Sequence, residues 1–151
     1  MKIHANPLMS PPSKAQPPTF SPKEFRSALG MFATGVTIVT AMTTDGKPIG
    51  LTASSFNSVS LDPPLVLWSL ARAAASLSAF STGSHYAINI LAADQKLLAE
   101  KFAVKGGDRW TGVAFTHGSG QAPLLTGAAA VFECFNRSRY DEGDHVIFVG
   151  E

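Results

Sequence analysis

The chain has 151 residues, 45% apolar and 15% charged, with a formal net charge of +1, a balance that fits one globular domain with its own core. So even a charge balance leaves no electrostatic footprint for nucleic acid or for an anionic membrane surface. No window approaches the ~18 uninterrupted apolar residues of a membrane span, and the single cysteine, Cys134, cannot close an intrachain disulfide, so a soluble, cytoplasmic protein is expected.

Pro7, Pro11, Pro12, Pro17, Pro18 and Pro22 concentrate at the N-terminus without any hydrophobic period, and residues 1–20 are expected to form a flexible arm ahead of a domain over 21–151. Ser21 followed by Pro22 reads as a helix start, and Phe25, Leu29 and Phe32 keep helical spacing, which predicts a short helix ending near Gly35. "VTIVTAMTTDGKPIGLTASSF" holds two extended runs around Asp45-Gly46, the pattern of a β-hairpin. "PPLVLWSL" predicts a third strand, apolar enough to be buried on both faces. "AAASLSAFSTG" predicts a short helix and "HYAINIL" a strand, while "AADQKLLAEKFAVKGGD" reads as an amphipathic helix stopped by Gly106 and Gly107. The last third, "AAAVFECFNRSRYDEGDHVIFVGE", predicts two strands around a polar turn at Asp141 to Asp144. Hairpins in place of regular βα alternation predict an antiparallel barrel or sandwich, mainly β, with peripheral helices.

Several chemistries lack their sequence signatures. There is no G-x-G-x-x-G and no G-x-x-x-x-G-K-[ST] to cradle a nucleotide, and no G-x-S-x-G for serine hydrolysis. His4, His85, His117 and His145 are scattered, so no metal site is expected. Cys134 lies in the alternating run "VFECFN", where a small buried thiol is the expected state. One stretch is unusual: "LTASSFNSVSLDPP" places Thr52, Ser54, Ser55, Ser58 and Ser60 between an apolar run and two prolines. A solvent-facing strand could carry these hydroxyls, and so could a site for a flat ligand with a polar edge.

Six blocks in order, "FRSALGMFATGVTIVT", "GLTASSFNSVSLDPPLVLWSL", "YAINILAADQKLLAEKFA", "DRWTGVAF", "APLLTGAAAVFEC" and "GDHVIFVGE", resemble the short-chain flavin reductases. These are the FMN-binding split-barrel reductases that feed two-component flavin-dependent monooxygenases. The resemblance implies an antiparallel split β-barrel and an NAD(P)H:flavin oxidoreductase, with FMN or FAD as flavin and NADH or NADPH as electron donor. A flavin-binding electron-transfer or storage protein of the same fold is the alternative. In the family the segment matching Thr52, Ala53, Ser54, Ser55 and Phe56 lines the flavin. An isoalloxazine needs hydrogen bonds along its pyrimidine edge and apolar cover on its faces, which small hydroxyls and exposed amides beside apolar groups supply.

The resemblance further implies ribityl and phosphate contacts over Ser69, Leu70, Arg72 and Ser76, with Arg72 neutralising the phosphate and Ser76 donating at a helix start. Here Ala73, Ala74 and Ala75 replace the polar residues common in relatives. Lys101, Phe102 and Ala103 match a third flavin-side segment, and Trp110 is either a contact or a core aromatic. Gly143, Asp144 and His145 resemble the nicotinamide-side motif, where glycine permits the tight turn, Asp144 caps or orients, and His145 acts on the nicotinamide. Hydride would pass from nicotinamide C4 to flavin N5, with positioning of the two rings as the catalysis. Relatives extend beyond "GDHVIFVGE", so the domain is expected to lack their C-terminal end: either the chain is truncated or a dimer partner covers the exposed strand edge. Because relatives build the flavin site near a dimer interface, the resemblance implies a homodimer. The reduced flavin would reach the monooxygenase by diffusion.

Overall fold

In the computed structural model, which describes residues 17–151, the chain divides into one unit through Ala33 and another from Thr34 to Glu151. The arm expected over residues 1–20 lies outside the described residues up to residue 16. In the first unit, helix α1 (Pro22–Leu29) starts as its sequence dictates. The Ser21 hydroxyl accepts from the Glu24 amide at 3.2 Å, and the Glu24 carboxylate accepts from the Ser21 amide at 2.8 Å. Phe20 and Phe25 stack with ring centroids 5.5 Å apart across this capping box, a hydrophobic staple that fixes the entry of the chain. The helix predicted to run toward Gly35 stops at Leu29 with Gly30 as its C-cap, because glycine gives the helix the least support and ends it a turn early.

Among the described residues the strands all lie in the second unit: β1 (Thr37–Met42), β2 (Pro48–Ala53), β3 (Asn57–Leu61), β4 (Pro64–Ala71), β5 (His85–Ile90), β6 (Phe115–His117), β7 (Pro123–Leu125), β8 (Ala130–Glu142) and β9 (His145–Gly150). Helices α2 (Leu77–Thr82) and α3 (Lys96–Ala103) flank β5 in sequence. Seven strands form one antiparallel sheet in the order β2-β1-β5-β8-β9-β4-β3, and β6 pairs with β7 alone. The β1–β2 hairpin turns at Gly46, whose φ of 76° no side-chain residue adopts cheaply.

Strand β8 builds the barrel from two half-sheets. Its first residues, Ala130 to Phe135, pair with β5, and Asn136 to Glu142 pair with β9, with the register shifting between Asn136 and Ser138. Such an irregularity sharpens the local twist and lets one strand serve both halves. Between them lies the main core, where Trp68 stacks on Phe148 at 4.8 Å and meets Phe80 and Tyr86 edge-on. The outer strands β2 and β3 share no ladder, so the barrel is split between them. Strand β4, predicted to be buried on both faces, buries Trp68 and Leu70 fully but leaves Leu65, Leu67, Ser69 and Ala71 half-exposed. The face carrying Ser69 and Ala71 borders a cavity, so it is only partly covered.

A second core lies on the other side of β1, where Ile38, Phe102 and Leu125 pack with Trp110 and Phe115. A buried polar network holds it in place. Asn89 donates to the Ile38 carbonyl at 3.0 Å and to the Thr40 hydroxyl at 3.1 Å, while its own carbonyl accepts from the Leu125 amide at 2.8 Å. Thr40 in turn donates to the Pro123 carbonyl, so β7 is tied to β1 and β5 through two fully buried side chains, Asn89 and Thr40. Asn89→Leu strands the Leu125 amide without a partner and should lower unfolding free energy by about 2–4 kcal/mol in urea titration. A loss under about 1 kcal/mol would show that the network does not hold β7.

Candidate functional site

The split between β2 and β3 is crossed by three residues, Ser54 to Phe56. Ser55 closes it from the side, since its hydroxyl accepts from the Ser69 amide at 2.9 Å and donates to the Ser69 carbonyl at 3.2 Å. Around this crossing lies a 360 Å³ cavity lined by Leu51, Thr52, Ala53, Ser54, Ser55, Ser69, Leu70, Ala71, Ala74 and His145. A 520 Å³ cavity shares Leu51, Leu70 and Ala74 with it and extends to Pro48–Gly50, Ala73, Ala75, Ser76 and the loop Lys105–Trp110. These volumes lie within the usual range for small-molecule sites.

Strand β2 contributes an unpaired backbone edge to both cavities. The Gly50 carbonyl accepts from Arg109 at 2.8 Å, so it points away from β1. By the two-residue period of a strand, the amide and carbonyl of Thr52 leave the same edge. This edge, beside apolar Leu51, Leu70 and Ala74, fits a flat ring with a hydrogen-bonding rim, so the residues present suit a flavin. Helix α3 backs the strand. The Thr52 hydroxyl donates to the Ala99 carbonyl at 2.6 Å, and Gly50 lacks a Cβ where one would sit 2.7 Å from the Phe102 ring.

His145 reaches the cavity because of strand pairing. β4 and β9 run antiparallel with Ala71 opposite His145, which sets the first residue of β9 beside the strand exit that carries Ser69 to Ala71. The His145 Nδ1 hydrogen lies on the Asp144 carboxylate at 2.7 Å, leaving Nε2 as the free ring nitrogen. That hydrogen bond, more than the charge of the imidazole, holds the Asp144 carboxyl below its ordinary range. Gly143, at φ 58°, makes the turn, and Arg72 clamps it. The Arg72 amide donates to the Asp144 carbonyl at 2.9 Å, its Nε to the Gly143 carbonyl at 3.1 Å, and its guanidinium pairs with Asp141 at 3.1 Å.

The expected site residues therefore separate. Thr52, Ala53, Ser54, Ser55, Ser69, Leu70 and His145 meet around the smaller cavity, and Leu70, Ser76 and Trp110 line the larger. Phe56 does not line either one: it packs on the main core and against Phe132, with ring centroids 5.3 Å apart. Arg72 lies on the turn and not on a cavity wall, because Asp141 and Gly143 engage its guanidinium. Lys101 donates to the Thr111 carbonyl, Phe102 is buried in the second core, and Ala103 is exposed, none of them on a cavity wall. The loop immediately after them lines the larger cavity instead. Ser76 makes no capping bond at the start of α2, which has six residues. Gly143 and Asp144 act through the turn. Trp110 does both things, meeting Phe102 and Phe115 edge-on at 5.0 and 5.2 Å while lining the larger cavity. Cys134 is buried, which pushes its thiol up to about 11 and keeps it from acting as a nucleophile. Lys105, Asp108 and Arg109 were not anticipated from sequence; the available signal was a cluster of charges around two glycines in a charge-poor chain.

Comparison with known proteins agrees with this architecture. Residues 29–151 match the flavin reductase like domain family. The FMN reductase (NADH) SmoA of Agrobacterium fabrum is 47% identical over 129 residues, covering 85% of this chain and 73% of that protein. The reductase component of a flavin-dependent trigonelline monooxygenase from Acinetobacter baylyi is 44% identical over 85% of this chain, and the match spans only 42% of its length. Among solved structures, the Streptomyces globisporus NADH:FAD oxidoreductase SgcE6, in complex with NAD and FAD fragments, superposes with a TM-score of 0.81 at 39% identity, covering 85% of this chain and 72% of that one. The styrene monooxygenase flavin reductase of Pseudomonas putida S12 superposes with a TM-score of 0.77 at 35% identity, covering 84% and 81% of the two chains. The chain belongs to the flavin reductase like domain family.

Proposed function

We propose that this chain is an NAD(P)H:flavin oxidoreductase that reduces FMN or FAD and supplies the reduced flavin to a partner flavin-dependent monooxygenase. The observation that carries the reading is the Ala71–His145 register, which sets an imidazole on the wall of the cavity bounded by the unpaired edge of β2. The names of the relatives, an NADH-dependent FMN reductase and reductase components of monooxygenases, support it. Bound flavin supplies a two-electron acceptor and the nicotinamide supplies the hydride.

The chain's own residues bind and orient. The Thr52 backbone and the Ser54 hydroxyl, which makes no hydrogen bond among the described residues, meet the polar rim of the flavin ring. Leu51, Leu70 and Ala74 cover its apolar surface. His145 Nε2, with its ring fixed by Asp144, orients the nicotinamide. Face-to-face rings at roughly 3–3.5 Å need no acid or base at the reacting atoms. The serine and threonine lining, with few charges, suits a flavin that must be released after reduction.

The proposal includes a homodimer and a cytoplasmic setting. Val131, Phe132, Phe135 and Tyr140 of β8 are 38–55% exposed, apolar side chains that a second copy would cover. A single, buried, unpaired cysteine fits a reducing compartment. No helix among the described residues is long and apolar enough to cross a membrane.

Two variants test the nicotinamide half. His145→Ala should lower kcat/KM for the nicotinamide by about 10- to 100-fold, with flavin Kd and melting temperature nearly unchanged, since the side chain is half-exposed. Flavin affinity falling together with stability would make the imidazole structural. Arg72→Gln releases the clamp on the turn and should raise the nicotinamide KM by roughly 3- to 10-fold while flavin Kd stays put. An unchanged KM would show that the turn holds without Arg72.

A further inference from the structure

Four cations stand near the two cavities, and they differ in what already engages them. Arg72 is paired with Asp141 and lines neither cavity. Lys101 lines neither cavity and donates to the Thr111 carbonyl. Arg109 lines the larger cavity, and its guanidinium donates to the Gly50 carbonyl at 2.8 Å and to the Val104 carbonyl. Both partners are neutral, no carboxylate among the described residues pairs with it, and N–H donors remain on a guanidinium after two bonds. Lys105, on the same wall, is exposed and makes no hydrogen bond or ion pair among the described residues. The acid on this loop, Asp108, turns its carboxylate onto the amides of Trp110 and Thr111 at 2.8 and 3.1 Å. The other lining segment, Ala73 to Ser76, carries no charge.

We propose that Lys105 and Arg109 form the subsite for the phosphate end of the flavin, and that Arg72 has no part in it. The proposal rests on the flavin reading given above. The two cavities share Leu51, Leu70 and Ala74 as lining residues and so lie side by side; in this proposal a ligand with its ring against the β2 edge and His145 runs its polar chain past the alanines to the two cations. The guanidinium is anchored by two backbone carbonyls, Gly50 on β2 and Val104 just after α3, so its planar fork is held in place for phosphate oxygens. A phosphomonoester and a pyrophosphate share this chemistry, and Lys105, free on an exposed loop beside the left-handed Gly106 and Gly107, can follow either. The alanines at 73–75 then reflect a division of labour: that segment covers the apolar part of the chain while the Lys105–Trp110 loop carries the charge.

The test is the ratio of affinities for FMN and riboflavin, which differ only in the phosphate, with FAD measured beside them by flavin fluorescence. Each ratio is internal to one variant, so a general loosening of the ring site cancels. Lys105→Gln should shrink the FMN-over-riboflavin ratio by about threefold or more and Arg109→Gln by about tenfold, with parallel losses for FAD. Arg72→Gln should leave the ratio as it is. Rising salt should weaken FMN and leave riboflavin unchanged. Ratios unchanged in both loop variants, or a collapse in Arg72→Gln, would overturn the subsite. So would a change in NADPH-over-NADH preference with the flavin ratio intact, since the cations would then serve the nicotinamide. If the unaltered chain binds no flavin, the flavin reading itself falls and this subsite with it; if it binds riboflavin, FMN and FAD equally, the subsite alone falls.

Discussion

The ladder between β4 and β9 is the constraint on which the rest depends. It pairs six residues, from Val66 with Gly150 to Ala71 with His145, and the Arg72 amide extends it by one bond to Asp144. Side chains alternate faces along a strand, so this register settles two things together. It sends Trp68 and Phe148 into the core as a stacked pair, and it leaves Ser69, Ala71 and His145 around the cavity. A slip by one residue would expose the tryptophan and turn the imidazole away. Both ends of the ladder rely on glycine. A Cβ on Gly150 would sit 2.4 Å from the buried Tyr86 hydroxyl, and Gly143 takes a left-handed φ at the turn.

The site itself is a consequence of an unclosed barrel. Edge strands expose amides and carbonyls that a partner must satisfy, and β2 has such an edge along both cavities. Arg109 occupies one position on it, at Gly50, while the stretch at Thr52 stays open to a ligand. The neighbouring edge, β3, is paired with β4 along its length, and Ser55, just before it, ties the crossing to β4 at Ser69. The gap in the sheet is thus a bounded groove with a rigid floor, which is what holding two flat rings in contact requires.

Sequence reading located the elements whose signals are local. Ser21-Pro22 and Asp45-Gly46 mark a cap and a turn through chemistry confined to a few residues, and both stand where expected. Strands β3, β6 and β7 were not foreseen as separate elements, because at three to five residues they carry too little alternation to register. The hydroxyl-rich stretch was legible as a candidate site, and Thr52 to Ser55 do line a cavity, but its parts were not legible. Thr52 and Ser55 direct their hydroxyls to α3 and β4, so the backbone and Ser54 are left to face the cavity. At Arg72 the resemblance implied a phosphate contact, and the structure shows tertiary partners that sequence does not announce: Asp141 and the Gly143 carbonyl engage its guanidinium. Pairings across tens of residues have no sequence period to announce them.

The most direct test of the central claim is anaerobic mixing of the chain with FMN and NADH, followed through nicotinamide and flavin absorbance together. A register that places His145 beside a flavin groove predicts that both absorbances fall in a one-to-one ratio, faster than in the same mixture without protein. Flavin binding seen by fluorescence, with neither absorbance falling faster than in the protein-free mixture, would contradict the account and leave a flavin-holding barrel with no nicotinamide chemistry.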